Sequence, residues 1–464
     1  RGDTTVTQFD KRNLSMMMDF YEMTMSYGYF HQGRGDVCVA FDLFFRAVPD
    51  KGGYAVFAGL EHVIEFVENL AFSDEDIDYF RAQNLFSEEF LAFLRGFRFR
   101  GDIYAVPEGT IIYPNEPLMT IVAPIIDAQL IETAILAQIN HQSLIATKAS
   151  RIVRAAEGRK VSDFGARRAH NMDAATYGAR AAYIGGVDMT ATVSAGQQFG
   201  IPISGTMAHS WIMFFEDEFA SFKKYAELYP QATVLLVDTY DVLHSGIPNA
   251  IRTAHEVLAP RGHRLAGVRI DSGDLAYLSK RVRTMLDDAG LTDCKIILSN
   301  SLDEFTISSL LLQGAQVDSF GVGERLITAK SDPVFGAVYK LVAVEKDGVF
   351  APRIKMSENV EKLTNPGIKD LYRIYDRHGK AVADMLAVQG EEIDLTKPFR
   401  YVDPRKPWKN RFFEGFSAVN LRRLYVREGQ RVEELPSLDE IRAYVQKQLT
   451  EEIWPEEQRF ENPH

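Results

Sequence analysis

The residues of this chain best suited to chemistry are His209, Asp238 and Asp271, far apart in sequence but alike in setting. His209 lies in Ile203-Ser204-Gly205-Thr206-Met207-Ala208-His209-Ser210, where an apolar run from Phe199 to Ile203 feeds a turn of small residues. A helix is expected from near Ser210 toward Tyr229. The N–H groups at a helix start are unpaired and electropositive, so such a junction suits anions and reactive side chains. A lone histidine there is more often an ordinary loop residue, and the neighbours decide. Asp238 ends the apolar run 232–237 and opens Asp238-Thr239-Tyr240-Asp241, while Asp271 follows 265–270 in Asp271-Ser272-Gly273-Asp274. The small-residue turns Ser272-Gly273-Asp274 and Gly321-Val322-Gly323, with Arg167, Arg168 and Arg269, form a set suited to phosphate. Two aspartates would repel bare phosphate, so they point to Mg²⁺, a ribose hydroxyl or an oriented histidine between them. Either aspartate taken alone reads equally well as a helix N-cap or a rim ion pair.

These residues need a frame that gathers strand ends. From Lys160 onward the chain alternates apolar strands with helical segments. The strands at 160–164, near Val187, at 201–203, 232–237, 265–270, 295–298 and 317–320 each end in polar or glycine residues. Serial β–α units require a parallel sheet with right-handed crossovers, which puts every C-terminal strand end on one side. About seven units suggest an irregular, TIM-like β/α barrel with its site on that rim. An open doubly wound sheet is the alternative, with a ligand also beyond the strand ends. On either frame His209, Asp238, Asp271 and Asn300 converge.

The flanks read differently. A helix is expected over 14–30 (Leu14, Met18, Tyr21, Met25, Tyr29), strands over 37–46 and 54–58, and helices over 60–70 and 74–95. Period-two alternation broken by Pro107, Gly109, Pro114 and Pro117 marks short antiparallel strands over 97–123, followed by a long helix from Asp127 to about Glu157. Residues 336–356 read as a hairpin turning at Lys346-Asp347-Gly348, and 371–386 as further strands. The expected domains are therefore an N-terminal α+β domain, 1–140, completed by 331–400. A β/α barrel occupies 141–330, and a C-terminal extension, 401–464, ends in a frayed tail.

Composition narrows the function. The chain has 464 residues, 46% apolar and 25% charged, and a net charge of -12, which argues against a nucleic-acid surface. It contains no apolar run long enough to span a membrane. Two distant cysteines, Cys38 and Cys294, fit a reducing, cytoplasmic setting and exclude a Cys-rich zinc site. The start, Arg1-Gly2-Asp3, lacks Met and an apolar signal core and reads as a processed end. Gly-x-Gly-x-x-Gly, a Walker loop, His-Glu-x-x-His and a nucleophile elbow are all missing, which disfavours nucleotide hydrolysis by a P-loop, zinc proteolysis and the usual Rossmann cofactor use.

Taken in order, several motifs resemble those of the nicotinate phosphoribosyltransferase family. They are Asp163-Phe164-Gly165-Ala166-Arg167-Arg168, Gly205-Thr206-Met207-Ala208-His209-Ser210, Val237-Asp238-Thr239-Tyr240, Val268 to Asp274, Ser299 to Glu304 and Phe320-Gly321-Val322-Gly323. Asp19 to Met25, Pro107-Glu108-Gly109 and Gly336 to Val342 also match, so the resemblance covers residues 14 to about 390. It implies transfer of phosphoribosyl from 5-phosphoribosyl 1-diphosphate to nicotinate, coupled to ATP through a phosphohistidine, with Mg²⁺ on the diphosphate. By motif match, His209 is the phosphorylated residue and Asp238 holds its other ring nitrogen. Phe164 would stack on the pyridine, and Tyr21 would cover its other face from a neighbouring subunit, so a homodimer with shared sites is expected. Arg168 and Arg269 would serve the carboxylate and phosphates. Asp271, Ser272 and Gly273 would face ribose and diphosphate. Gly205 and Thr206 would line the substrate site, and Asn300, Gly321 and Gly323 would take the 5-phosphate end. Metal ligands are not identified. Two departures stand out. Val187-Asp188-Met189-Thr190-Ala191-Thr192 replaces a Thr-Ser-Asn-type run, and Asp188 resembles the acid of nicotinamide-using relatives. Glu324 stands where some relatives have Thr. Nicotinamide transfer is the alternative within this chemistry, and a metal-dependent barrel lyase the alternative outside it.

Overall fold

The computed structural model describes residues 12–356, 364–394, 397–403 and 406–455. The chain forms two compact units, one of residues Arg1–Leu144 with Val334–His464 and the other of Ile145–Pro333. The helix Glu132–Ala155 runs unbroken through 144/145, so the unit boundary falls inside it and not at residue 140.

The Ile145–Pro333 unit is a parallel half-barrel. Its strands lie in the order Met189–Thr190, Lys160–Asp163, Ser319–Val322, Lys295–Leu298, Gly267–Ile270 and Val234–Leu236. Ile203 adds a single parallel bridge to Thr190 at one end. The expected seven segments are therefore present. Among the described residues no ladder joins the Ile203 segment to Val234–Leu236, so the barrel is irregular and has one open seam. The strands are short and apolar, with Leu235, Leu236, Val268, Ile270, Ile296, Leu298, Phe320 and Val322 all buried, as a sheet packed by helices requires. The helix after Val234–Leu236 packs so closely that a Cβ on Gly246 would lie 1.8 Å from the Val237 carbonyl oxygen. Only glycine allows that approach, and it presses on the strand end that carries Asp238.

The segment after His209 is not one helix. His209–Phe214 ends at Phe215 in extended conformation, and Glu218–Leu228 starts afresh because Asp217 accepts from the Ala220 amide at 2.7 Å.

The other unit is built on an antiparallel seven-stranded sheet. Its order is Val349–Pro352, Val338–Lys346, Cys38–Phe44, Met119–Pro124, Asp102–Ala105, Arg423–Arg427 and Gln430–Arg431. The hairpin turns at Asp347 and Gly348, both at positive φ (54° and 77°), the twist-matching geometry of a two-residue hairpin. Lys369–Tyr375, Ala381–Val388 and Ser417–Asn420 form a separate three-stranded sheet. Pro107-Glu108-Gly109 works structurally. Buried Glu108 accepts from the Gly59 amide at 2.6 Å, holding the start of the helix Leu60–Asn69. A Cβ on Gly109 would meet Ile441 and Val445 at 3.1 Å.

Two expectations change here. The helix expected over 14–30 is a short turn, Leu14–Met16, and then Phe20–His31, tied down by buried Glu22, which accepts from the Thr133 amide at 3.0 Å. Residues 401–455 are no appendage. Arg423–Arg427 pairs with Asp102–Ala105, and Gln448 donates to the Gly109 carbonyl at 2.9 Å and accepts from the Ile111 amide at 2.8 Å. The signal for this was weak, because the extension's strands are short and edge-like. Of the stretch expected to fray, residues 450–455 are held, with Ile453 buried and the Trp454 indole N–H donating to the Ala381 carbonyl at 3.0 Å. The rest of it lies outside the described residues, as does the Arg1-Gly2-Asp3 start.

Candidate active site

The acidic residues at the rim sort by position. In Asp238-Thr239-Tyr240-Asp241 and Asp271-Ser272-Gly273-Asp274 the last aspartate caps the next helix. Asp241 accepts from the Leu243 and His244 amides, and Asp274 from the Tyr277 amide at 3.0 Å. The first aspartate of each pair is thereby free for other work. A helix start needs one acceptor, and the fourth position supplies it.

Asp238 is the hub. Its Oδ1 lies 3.0 Å from His209 Nε2 across the open seam of the half-barrel. Its Oδ2 accepts from the Ser272 hydroxyl at 2.5 Å and from the Asp271 amide at 3.2 Å. The Asp238 side chain is only 2% exposed, whereas that of His209 is 39% exposed, so the carboxylate is shielded and the imidazole meets solvent. A carboxylate fixed by two further donors holds the ring's orientation and leaves Nδ1 as the outward nitrogen. Asp271 is oriented in turn by Ser299, whose hydroxyl donates to Oδ1 at 2.5 Å. In the sequence Ser299 stands out only as the start of the Ser299–Glu304 motif, with no role of its own.

A second group surrounds Arg269. Its Nη1 donates to Thr206 Oγ1 at 2.9 Å, and its guanidinium carbon sits 5.7 Å from the centre of the Phe164 ring. Its buried Nε–H meets no acceptor among the described residues, a donor left over for a bound anion. Burial pulls the Arg269 pKa down, opposed by the charges of Asp271 and Asp238 and reinforced by Arg167. Arg167 therefore acts on this cluster. Arg168 instead sits 3.8 Å from Glu324 on the exposed side, and Glu324 also pairs with Lys330. The lysine's hydrogen bond holds the Glu324 carboxyl below its usual range.

Phe164 lies close against Gly321, where an added Cβ would be 2.4 Å from two ring carbons. Gly321→Ala is expected to displace that ring, at about 1–3 kcal/mol of overpacking. If the ring holds a planar substrate, kcat/KM should fall roughly 10- to 100-fold with a small change in Tm. Steady-state kinetics within twofold of the parent would remove Phe164 from the site.

The remaining residues are less tightly tied. Gly205 has open space around it, and Gly273 adopts φ +85° beside Leu278. Asn300 and Ser301 both take left-handed backbone, φ +98° and +50°, a costly pair for non-glycine residues. Gly323 precedes the short helix Glu324–Ile327. Tyr21 belongs to the other unit, on Phe20–His31, and is 44% exposed. Asp188 caps a strand, accepting from the Val161 amide at 2.9 Å. A cavity of about 950 Å³ lies in the other unit, beside Glu116 and Asp384. It contains none of the rim residues, and Asp384 is committed to buried Arg373 at 2.7 Å, so the rim is the stronger candidate.

The chain matches three family models: the nicotinate phosphoribosyltransferase N-terminal domain over residues 16–140, the nicotinate phosphoribosyltransferase family over 159–365, and its C-terminal domain over 368–464. It is 46% identical over 458 residues to nicotinate phosphoribosyltransferase of Bacillus subtilis, covering 98% of this chain and 92% of that protein. With nicotinate phosphoribosyltransferase of Caenorhabditis elegans it shares 34% identity, over 97% of this chain and 90% of the relative. The crystal structure of human nicotinic acid phosphoribosyltransferase superposes with a TM-score of 0.86 at 30% identity, covering 97% of this chain and 96% of the human one.

Proposed function

This chain belongs to the nicotinate phosphoribosyltransferase family, and from that premise we infer how its rim divides the work. It is an enzyme of NAD salvage that joins nicotinate to the phosphoribosyl group of 5-phosphoribosyl 1-diphosphate, giving nicotinate mononucleotide and diphosphate. The pyridine nitrogen forms its bond to the anomeric carbon as the bond to diphosphate breaks, the electron pair leaving with diphosphate. Positive charge grows on the ribose, and we infer that Asp271, which accepts from the Ser299 hydroxyl at 2.5 Å, stabilises it. Arg269 and Phe164 suit a planar anion such as nicotinate, a cation beside an aromatic face.

The observation that carries the finer reading is the Asp238–His209 pair. We propose that ATP phosphorylates His209 at Nδ1, since Nε2 is taken by Asp238, with ADP leaving and water later releasing phosphate. Mg²⁺ needs oxygen ligands, commonly one or two carboxylates completed by substrate phosphates and water. Among the described residues no group of three or more His, Cys, Asp or Glu could hold a metal, which suits an ion shared with the diphosphate. Both Asp238 oxygens are engaged, so Asp271 would hold it, and the ion would neutralise the leaving group's charge. The free thiols Cys38 and Cys294 accord with a cytoplasmic site of action, and no helix among the described residues is long and apolar enough to cross a membrane. An assay offering nicotinate, nicotinamide and quinolinate, each with and without ATP, tests the reading. Nicotinate turnover stimulated by ATP supports it, and preference for nicotinamide would overturn it.

We propose a homodimer with shared sites. Phe20, Tyr21 and Met25 leave one face of the helix Phe20–His31 exposed and apolar. Tyr21→Ala is expected to raise the nicotinate KM. Mixed with a His209→Ala chain, it should regain part of the activity, because one site of the hybrid would have both side chains intact. No recovery in hybrids would place Tyr21 in its own chain's site.

A further inference from the structure

The loop that carries Asn300 and Ser301 is held by two adjacent acids that the transfer chemistry does not use. Asp303, first, caps the helix Glu304–Leu312, its Oδ1 accepting from the Thr306 amide at 2.8 Å. Its Oδ2 accepts from Arg325 at 2.9 Å, and Arg325 stands two residues beyond Gly323. Glu304, next in the chain, accepts from Lys148 at 2.8 Å. The Lys148 ammonium also donates to the Ser331 hydroxyl at 2.8 Å, at the far end of the Gly323 loop. The side chains of Lys148 and Glu304 are 2% and 4% exposed, so this pair meets no ligand.

Both acids thus tie one phosphate-facing loop, 299–303, to the other, 321–331. The first loop stores strain in two successive left-handed residues, a conformation that relaxes unless its surroundings over-determine it. A fully buried ion pair is a poor source of stability, because desolvation cancels most of its attraction. It does fix a geometry, since both side chains are buried and paired with each other at 2.8 Å.

We propose that Asp303–Arg325 and Glu304–Lys148–Ser331 are positioning pairs that set the separation of the two rim loops for the phosphate of the phosphoribosyl donor. The inference rests on the reading of this rim as a phosphoribosyltransferase site. It makes Lys148, out of contact with any substrate, a determinant of donor affinity.

The test compares Lys148→Met, Lys148→Arg and the double variant Lys148→Met/Glu304→Met with the parent, full-length, in steady-state kinetics and thermal unfolding. Lys148→Met should raise the KM for 5-phosphoribosyl 1-diphosphate at least about tenfold, with kcat within about threefold and the nicotinate KM unchanged. Lys148→Arg should recover most of that KM. The double variant replaces both charges with apolar groups, so its Tm should return toward the parent's while the donor KM stays raised. A donor KM that recovers together with Tm would make the pair purely structural and overturn the proposal, as would an unchanged KM in Lys148→Met. If Lys148→Met does not fold, the double variant and Arg325→Met decide by the same criterion. A parent enzyme with no turnover of nicotinate and the donor would remove the underlying reading instead.

Discussion

His209→Ala is expected to abolish stimulation by ATP while leaving a weak transfer that runs equally well without it. The imidazole is a nucleophilic group held by a shielded carboxylate, with Nε2 at 3.0 Å from Asp238. Removing it takes away the proposed phosphoryl acceptor but leaves Arg269, Asp271 and Phe164 untouched, so binding and slow displacement should persist. Asp238→Asn should behave differently. The amide keeps the shape but presents either an oxygen or an N–H to the ring, and it weakens the acceptor of Ser272 and the Asp271 amide. By the precedent of histidines held in the wrong tautomer, the ATP-stimulated rate should fall by about 10³-fold or more. Rates with and without ATP, with acid-labile label from γ-labelled ATP as a second readout, check both. Survival of ATP coupling in His209→Ala would end the phosphohistidine role.

Arg269→Met carries the second large effect. The guanidinium joins Thr206, the Phe164 face and the charges of Asp238 and Asp271. Its loss removes a buried cation whose charge interacts with Asp238 and Asp271, so anionic substrates should meet more repulsion at the rim. Loss of one preorganised donor at a reacting centre costs roughly 10²–10³ in kcat, and the lost pairing should add to KM for nicotinate. Arg269→Lys should recover little, because a point charge cannot donate to Thr206 and keep a flat group beside Phe164. The expected pattern is a loss of kcat/KM of about 10³-fold with nearly unchanged folding. A loss confined to the donor KM would move Arg269 from the pyridine to the phosphates.

Much of this is legible in the sequence. The alternation from Lys160 onward located the parallel strands to within a few residues, because strands buried on both faces are short apolar runs and each ends in a residue able to start a helix. The hairpin at Asp347-Gly348 was equally plain, since few residues tolerate positive φ. Helix continuity was less so. The break at Phe215 leaves the apolar pattern intact, and only Asp217's capping bond reveals it.

By itself, then, the sequence determined the parallel unit, the rim and its inventory of reactive groups, because local periodicity and turn chemistry act over a few residues. Tertiary structure alone decided which groups work together. Asp238 and Asp241 have the same chemistry and sit three residues apart, yet one orients His209 and the other caps a helix. Arg167 and Arg168 are neighbours, yet one acts on Arg269 and the other faces Glu324. Lys148 carried no signal of its own, and Ser299 showed only as the first residue of a motif. Each owes its role to a partner 156 or 28 residues away. Such pairings depend on which strand end lies beside which, and the sheet order sets that.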